Sequence, residues 1–78
     1  MPGIKVDLVV DTRGQACPMP VLSTKRGLAR LLPGQVVEIL ASDFGSESDI
    51  GALAQRLGHT IVETDRSDGW YRFLIRKT

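Results

Sequence analysis

Cys17-Pro18-Met19-Pro20 is the stretch of this 78-residue chain in which residue types and spacing concentrate chemistry, and Cys17 is the only cysteine. A residue that precedes proline is driven out of the helical region, so Cys17 is expected as an N-cap just before a helix. Pro18 then takes the first helical position, where its fixed φ fits and its missing N–H costs nothing. Pro20 follows within the first turn, whose N–H groups have no intrahelical partner. The two prolines stiffen the helix start without breaking it. A thiol at that corner feels the positive end of the helix macrodipole, which favours thiolate over thiol. Arg13, earlier in the same loop, would add to this if it folds back toward the sulfur. A lone cysteine is most often a small buried hydrophobe, but the flanking prolines and the loop-to-helix position argue against burial here. A rigid, exposed thiolate suits sulfur chemistry: forming a persulfide, attacking one, or attacking a disulfide.

Several other chemistries are excluded by what the chain lacks. With no second cysteine there is no intrachain disulfide and no C-x-x-C redox cycle. His59 is the sole histidine, and it follows Gly58 at the far end of the second expected helix. Both helices should start at one edge of the sheet, which puts His59 at the other, as a surface or turn residue, and argues against a Cys–His dyad. One Cys and one His cannot build a structural zinc site of about four ligands, so neither metal nor cofactor is expected. Ten Lys plus Arg against nine Asp plus Glu leave a net charge of +1, without the basic excess of a nucleic-acid binder. Arg72, Arg76 and Lys77 read as a solvated strand face, and no direct nucleic-acid contact is expected. No apolar run reaches the roughly 20 residues of a membrane span, and no signal-peptide pattern opens the chain. A composition 42% hydrophobic and 24% charged is that of a soluble globular chain, expected in the cytoplasm as a single domain over 1–78.

The elements that must position Cys17 follow from periodicity. Ile4, Val6, Leu8 and Val10 alternate as in a half-buried strand, broken by Asp11 to Ala16 with Gly14 as turn residue. From Pro18 the pattern is helical. Val21, Leu22, Leu28, Ala29 and Leu32 share a stripe that also takes in Lys25, and Pro33-Gly34 stops the helix. Val36 to Ala41 is a β-branched strand. Ser46 with Asp49 resembles a capping arrangement, and Ile50, Leu53, Ala54 and Leu57 mark a second helix ended by Gly58. Thr60–Thr64 and Trp70–Arg76 are strands joined by the hairpin residues Ser67-Asp68-Gly69. The order βαβαββ gives parallel pairing across the helices and an antiparallel final hairpin. The fold class is therefore α/β: a two-layer sandwich of a mixed four-stranded sheet with both helices on one face.

Asp11-Thr12-Arg13-Gly14-Gln15-Ala16-Cys17-Pro18-Met19-Pro20 resembles the D-x-x-G-x-x-C-P-x-P signature of the TusA (SirA-like) family of sulfur-carrier proteins. The similarity continues through Lys25, Pro33-Gly34, Ala41-Ser42-Asp43, Asp49-Ile50, Gly58-His59 and Tyr71 to Lys77, essentially the whole chain. The family's fold is the same βαβαββ sandwich. The resemblance implies that Cys17 accepts a sulfane sulfur from a donor protein, such as a cysteine desulfurase, and holds it as a persulfide. The sulfur then passes to an acceptor protein serving tRNA thiolation, cofactor synthesis or sulfur oxidation. Members commonly carry Pro where this chain has Phe44 and Gly51. Both positions are expected in the second strand-to-helix connection, at the same sheet edge as Cys17.

The expected site is Cys17 as the persulfide bearer, supported by Arg13, Gly14, Pro18 and Pro20. Met19, Lys25, Asp43 and Phe44 are candidate docking residues. Lys25 reads more simply as a lysine whose stem packs and whose ammonium reaches water, roughly 12 Å along the helix from Cys17. Asp43 reads as a loop-orienting carboxylate. A rival reading is a non-catalytic regulatory or RNA-binding module that retains the fold, and a thiol delivering selenium is a third.

Overall fold

The computed structural model describes residues 4–78. Strand β1 (Leu8–Thr12) leads to helix α1 (Met19–Ala29), strand β2 (Val36–Ala41), a single 3-10 turn (Phe44–Ser46), helix α2 (Glu47–Arg56), and strands β3 (Thr60–Ser67) and β4 (Trp70–Arg76). The sheet order is β1-β2-β4-β3. β1 pairs parallel with β2, while β4 runs antiparallel to both β2 and β3. The βαβαββ mixed sheet with two helices is the architecture expected from the sequence.

The helix-facing side of the sheet carries Val10 on β1, Val37, Ile39 and Ala41 on β2, and Tyr71, Phe73 and Ile75 on β4. These close over Leu28 of α1, Leu31 just beyond its end, and Ile50 and Ala54 from α2. The other side centres on Arg72, whose guanidinium lies 3.2 Å from Glu38, 2.7 Å from Glu63 and 3.8 Å from Asp65. Lys77 donates from Nζ to the Leu31 carbonyl at 2.8 Å, satisfying an orphan group just past the end of α1. Two of the three cations expected on a solvated strand face are therefore occupied within the fold.

Helix α1 ends at Ala29, ahead of the expected stop at Pro33-Gly34, and three strand boundaries also differ from expectation. β1 begins at Leu8, not Ile4, because the Asp7 carboxylate takes the Val36 N–H (2.9 Å) at the point where the ladder would otherwise extend. It also continues through Asp11 and Thr12, where Thr12 is buried and donates its hydroxyl to the Leu40 carbonyl at 2.8 Å. β3 runs on to Ser67, because Asp65, Arg66 and Ser67 pair with Arg72, Tyr71 and Trp70. This leaves a two-residue Asp68-Gly69 turn, with Gly69 at φ +78°, a left-handed conformation that glycine adopts without steric cost.

The inward stripe of α1 is also rotated from expectation. Pro20, Thr24, Gly27 and Leu28 are buried, whereas Leu22 and Leu32 are exposed and so are Lys25 and Ala29. Close approach to the sheet decides this. A Cβ at Gly27 would sit 2.9 Å from Val10 Cγ2, and Thr24 hides its hydroxyl by donating to the Pro20 carbonyl at 2.8 Å. Small residues let the helix lie close to β1, and they carry little signal in a hydrophobicity pattern.

Candidate functional site

Cys17 is exposed at the edge of the sheet where both strand-to-helix loops emerge. The chain turns first at Thr12–Gln15, where Gln15 N–H donates to the Thr12 carbonyl at 3.1 Å. Gly14 takes φ +87° in that turn, a conformation costly for a residue with a side chain. A second turn follows, with Met19 N–H donating to the Ala16 carbonyl at 2.9 Å. Because that turn holds Met19, Pro18 is the N-cap and α1 starts at Met19, with Pro20 in its first turn. The expectation of Cys17 as N-cap and Pro18 as first helical residue is thus corrected by one position. The Cys17–Pro18 peptide is cis.

Two hydrogen bonds tie this loop to the second one. Gly14 N–H donates to Ser42 Oγ at 2.7 Å, and Cys17 N–H donates to Asp43 Oδ2 at 2.9 Å. The same Asp43 oxygen accepts from the buried Ser46 hydroxyl at 2.8 Å. The Ser46 bond first, and the Cys17 N–H second, hold the Asp43 carboxyl below the usual carboxylate range. Ser46 is the N-cap of α2, but its hydroxyl serves Asp43, so the expected capping arrangement with Asp49 does not form. Beneath Asp43, the Tyr71 hydroxyl donates to its carbonyl at 2.9 Å. Burial above all, with the Glu47, Asp43 and Asp49 charges, pushes the Tyr71 phenol up to about 12. Tyr71 therefore remains a proton donor at every physiological pH.

Arg13 is engaged elsewhere than at the sulfur. It donates from Nε and Nη2 to the two Asp11 oxygens at 3.0 and 2.8 Å, and its guanidinium lies 5.5 Å from the Trp70 ring centre. The paired guanidinium holds Asp11 down to about 2. The expected fold-back of Arg13 onto the thiol is replaced by an ion pair that stiffens the start of the loop. Met19 and Phe44 are 40% and 45% exposed. Phe44 rests on Tyr71 with centroids 5.5 Å apart, and Arg66, paired with Glu47, stacks over it at 5.1 Å. His59 is at the far end of the molecule, its Nδ1 accepting from Thr78 N–H at 3.3 Å. Among the described residues no group of three or more His, Cys, Asp and Glu is placed to hold a metal ion.

Asp43→Ala is expected to leave the fold in place but loosen the Cys17 corner, slowing any reaction that requires a docked partner by roughly tenfold. Reaction with a small alkylating reagent should change little by comparison. The wild-type bond also has a pH signature. Because the folded Asp43 carboxyl lies below its unfolded value of about 3.9, the tie is complete above that pH and lost as pH falls through the folded value. The Cys17 amide proton, followed by NMR, should hold its shift down to about pH 4 and move only below it. A midpoint above 4 would contradict the assignment.

Fold and site together define a small two-layer α/β protein that presents one exposed cysteine on a latched strand-to-helix corner. This chain belongs to the TusA family: the family model described as Sulfurtransferase TusA matches residues 8–77. The sulfur carrier protein TusA of Allochromatium vinosum is 36% identical over 72 residues, covering 92% of this chain and 95% of that protein. YrkI of Bacillus subtilis is 36% identical over 74 residues, covering 95% of this chain and 99% of that one. The chain matches YrkF of the same organism at 39% identity but spans only 40% of its length. The crystal structure of a SirA-like protein from Desulfitobacterium hafniense superposes with a TM-score of 0.79 at 29% identity, covering 90% of this chain and 96% of that one.

Proposed function

We propose that this protein is a sulfur carrier that takes up a sulfane sulfur as a persulfide on Cys17 and hands it to an acceptor protein. The observation that carries the reading is the exposure of Cys17 on a corner whose backbone is held by Ser42 and Asp43. The thiolate attacks the terminal sulfur of a donor's persulfide. The donor's S–S bond breaks, its electron pair leaves with the donor thiolate, and a new S–S bond forms at Cys17. In the second step the acceptor thiolate attacks that same terminal sulfur, and Cys17 leaves as thiolate. Neither step changes the total oxidation state, so no redox cofactor is required. Asp43 fixes the direction of the Cys17 backbone, and Pro18 and Pro20 fix the start of α1. Met19 and Phe44 offer apolar contact to a docked donor or acceptor, and Gly14 makes the turn that brings the loop to Ser42. The carrier acts as one cytoplasmic domain, and its acceptor sets whether the sulfur goes to tRNA thiolation, cofactor synthesis or sulfur oxidation.

The test is intact-mass spectrometry after incubation with a cysteine desulfurase, pyridoxal phosphate and cysteine. The expected result is a gain of one sulfur atom per chain, removed by reductant. No gain with this donor or with any other persulfide donor would overturn the reading.

A further inference from the structure

Between the two helices runs an open groove of about 270 Å³ with Cys17 and Pro18 at its mouth. Val21 lines the α1 wall, and Asp49, Leu53 and Arg56 line the α2 wall. The α2 residues recur at i, i+4 and i+7, one face of the helix. Lys25 is one turn beyond Val21 on α1 and is exposed, so it follows the rim on the same side. Seven residues separate Asp49 from Arg56, and seven separate Pro18 from Lys25. At about 1.5 Å per residue both cations stand roughly 10 Å down the groove from the mouth.

The charge pattern is lopsided. Every ion pair among the described residues uses Lys5, Arg13, Arg66 or Arg72 as its cation. Lys25 and Arg56 have no carboxylate within ion-pair reach, and α1 contains no acidic residue at all. The lower groove thus offers two unspent positive charges beside an apolar floor, while Asp49 marks the mouth as acidic.

We infer that the groove is the specificity element for the partner's cysteine-bearing segment, and that it selects an acidic one. Resting on the sulfur-carrier reading, this names the partner's chemistry. The partner presents its cysteine at Cys17, lays an apolar side chain over Val21 and Leu53, and places a carboxylate between Lys25 and Arg56. An extended segment rises about 3.3 Å per residue, so that carboxylate belongs two to four residues from the cysteine. Complementary charge at the rim acts mainly on encounter and on rejecting wrong partners. RNA is disfavoured as the occupant, because the groove floor is apolar and its mouth carries a carboxylate.

The test uses synthetic peptides whose single cysteine is activated as a mixed disulfide with 5-thio-2-nitrobenzoate. Cys17 thiolate attacks the peptide sulfur, the S–S bond breaks, and the coloured thiolate leaves, so the rate is read directly. Peptides carrying Asp or Lys two, three or four residues to either side of the cysteine are compared. The best acidic peptide should react about fivefold faster than its lysine counterpart at low salt, and added salt should erase the gap. In the Lys25→Glu/Arg56→Glu double variant the preference should reverse, while the rate with the uncharged disulfide 2,2′-dithiodipyridine, which offers the groove no charge to read, stays within twofold. Equal rates for all peptides, or a preference untouched by the double variant, would overturn the inference. So would a double variant that loses RNA binding with no change in peptide preference. Because no persulfide is involved, these outcomes stand apart from failure of sulfur loading, which bears on the carrier reading alone.

Discussion

Cys17→Ser is expected to lose all sulfur loading while keeping the stability of the parent chain. Loading requires a nucleophile that can hold sulfane sulfur through an S–S bond, and the sequence has no second thiol to substitute. A serine hydroxyl is not ionised near neutral pH and forms no persulfide. Stability should change by less than about 0.5 kcal/mol, because the exposed side chain buries no core surface. The bond from the residue 17 backbone N–H to Asp43 does not depend on the side chain. Intact mass and a urea melt on the same sample check both halves. A variant that still gained sulfur would move the chemistry away from Cys17. A variant that failed to fold would show that Cys17 has a structural role the exposed thiol does not reveal.

The second large effect falls on the support beneath the site. Tyr71→Ala is expected to abolish cooperative unfolding at room temperature. The ring is fully buried, packs edge-on to Phe73 with centroids 5.7 Å apart, and supports Phe44 from below. Its hydroxyl also holds the Asp43 carbonyl. Removing a buried aromatic costs about 3–5 kcal/mol, which rivals the whole margin of a core this small, roughly 3–5 kcal/mol. Tyr71→Phe keeps the ring and loses only the hydroxyl bond, a cost of about 1 kcal/mol. That variant should fold and melt slightly earlier. Circular dichroism through a urea titration separates the two outcomes. A Tyr71→Ala midpoint close to the parent's would mean that the core tolerates the cavity and that loop support comes from elsewhere.

The architecture was legible because its punctuation is strong. Pro33-Gly34, Gly58 and Asp68-Gly69 bound segments whose periods differ, and β2 and β4 have the expected limits. The inward face of α1 was not legible from hydrophobicity, since Pro20, Thr24 and Gly27 do the packing. Leu22 and Leu32 remain outside, and Lys25 stands at the surface and not within an apolar stripe. At the site, the flanking prolines are enough to signal an exposed Cys17 from sequence. The partnership of Cys17 with Asp43 spans 26 positions of sequence, and no local pattern announces it. Arg13 departs from expectation for a related reason. A charge near a thiol in sequence goes to the nearest carboxylate that geometry allows, and Asp11, two residues away, wins. Arg56 lies in the same i, i+4, i+7 series as Asp49 and Leu53, and reading only the apolar members of α2 passes it over.

A carrier role requires sulfane sulfur to be held at Cys17, and cyanolysis measures that directly. Cyanide attacks the terminal sulfur of a persulfide, the S–S bond breaks, and thiocyanate is released with return of the thiolate. Loaded and desalted protein is expected to yield one thiocyanate per chain and to return to the mass of the unmodified form. Thiocyanate well below one per chain, or a mass gain that survives cyanide, would place the added sulfur in another chemical form and contradict the carrier.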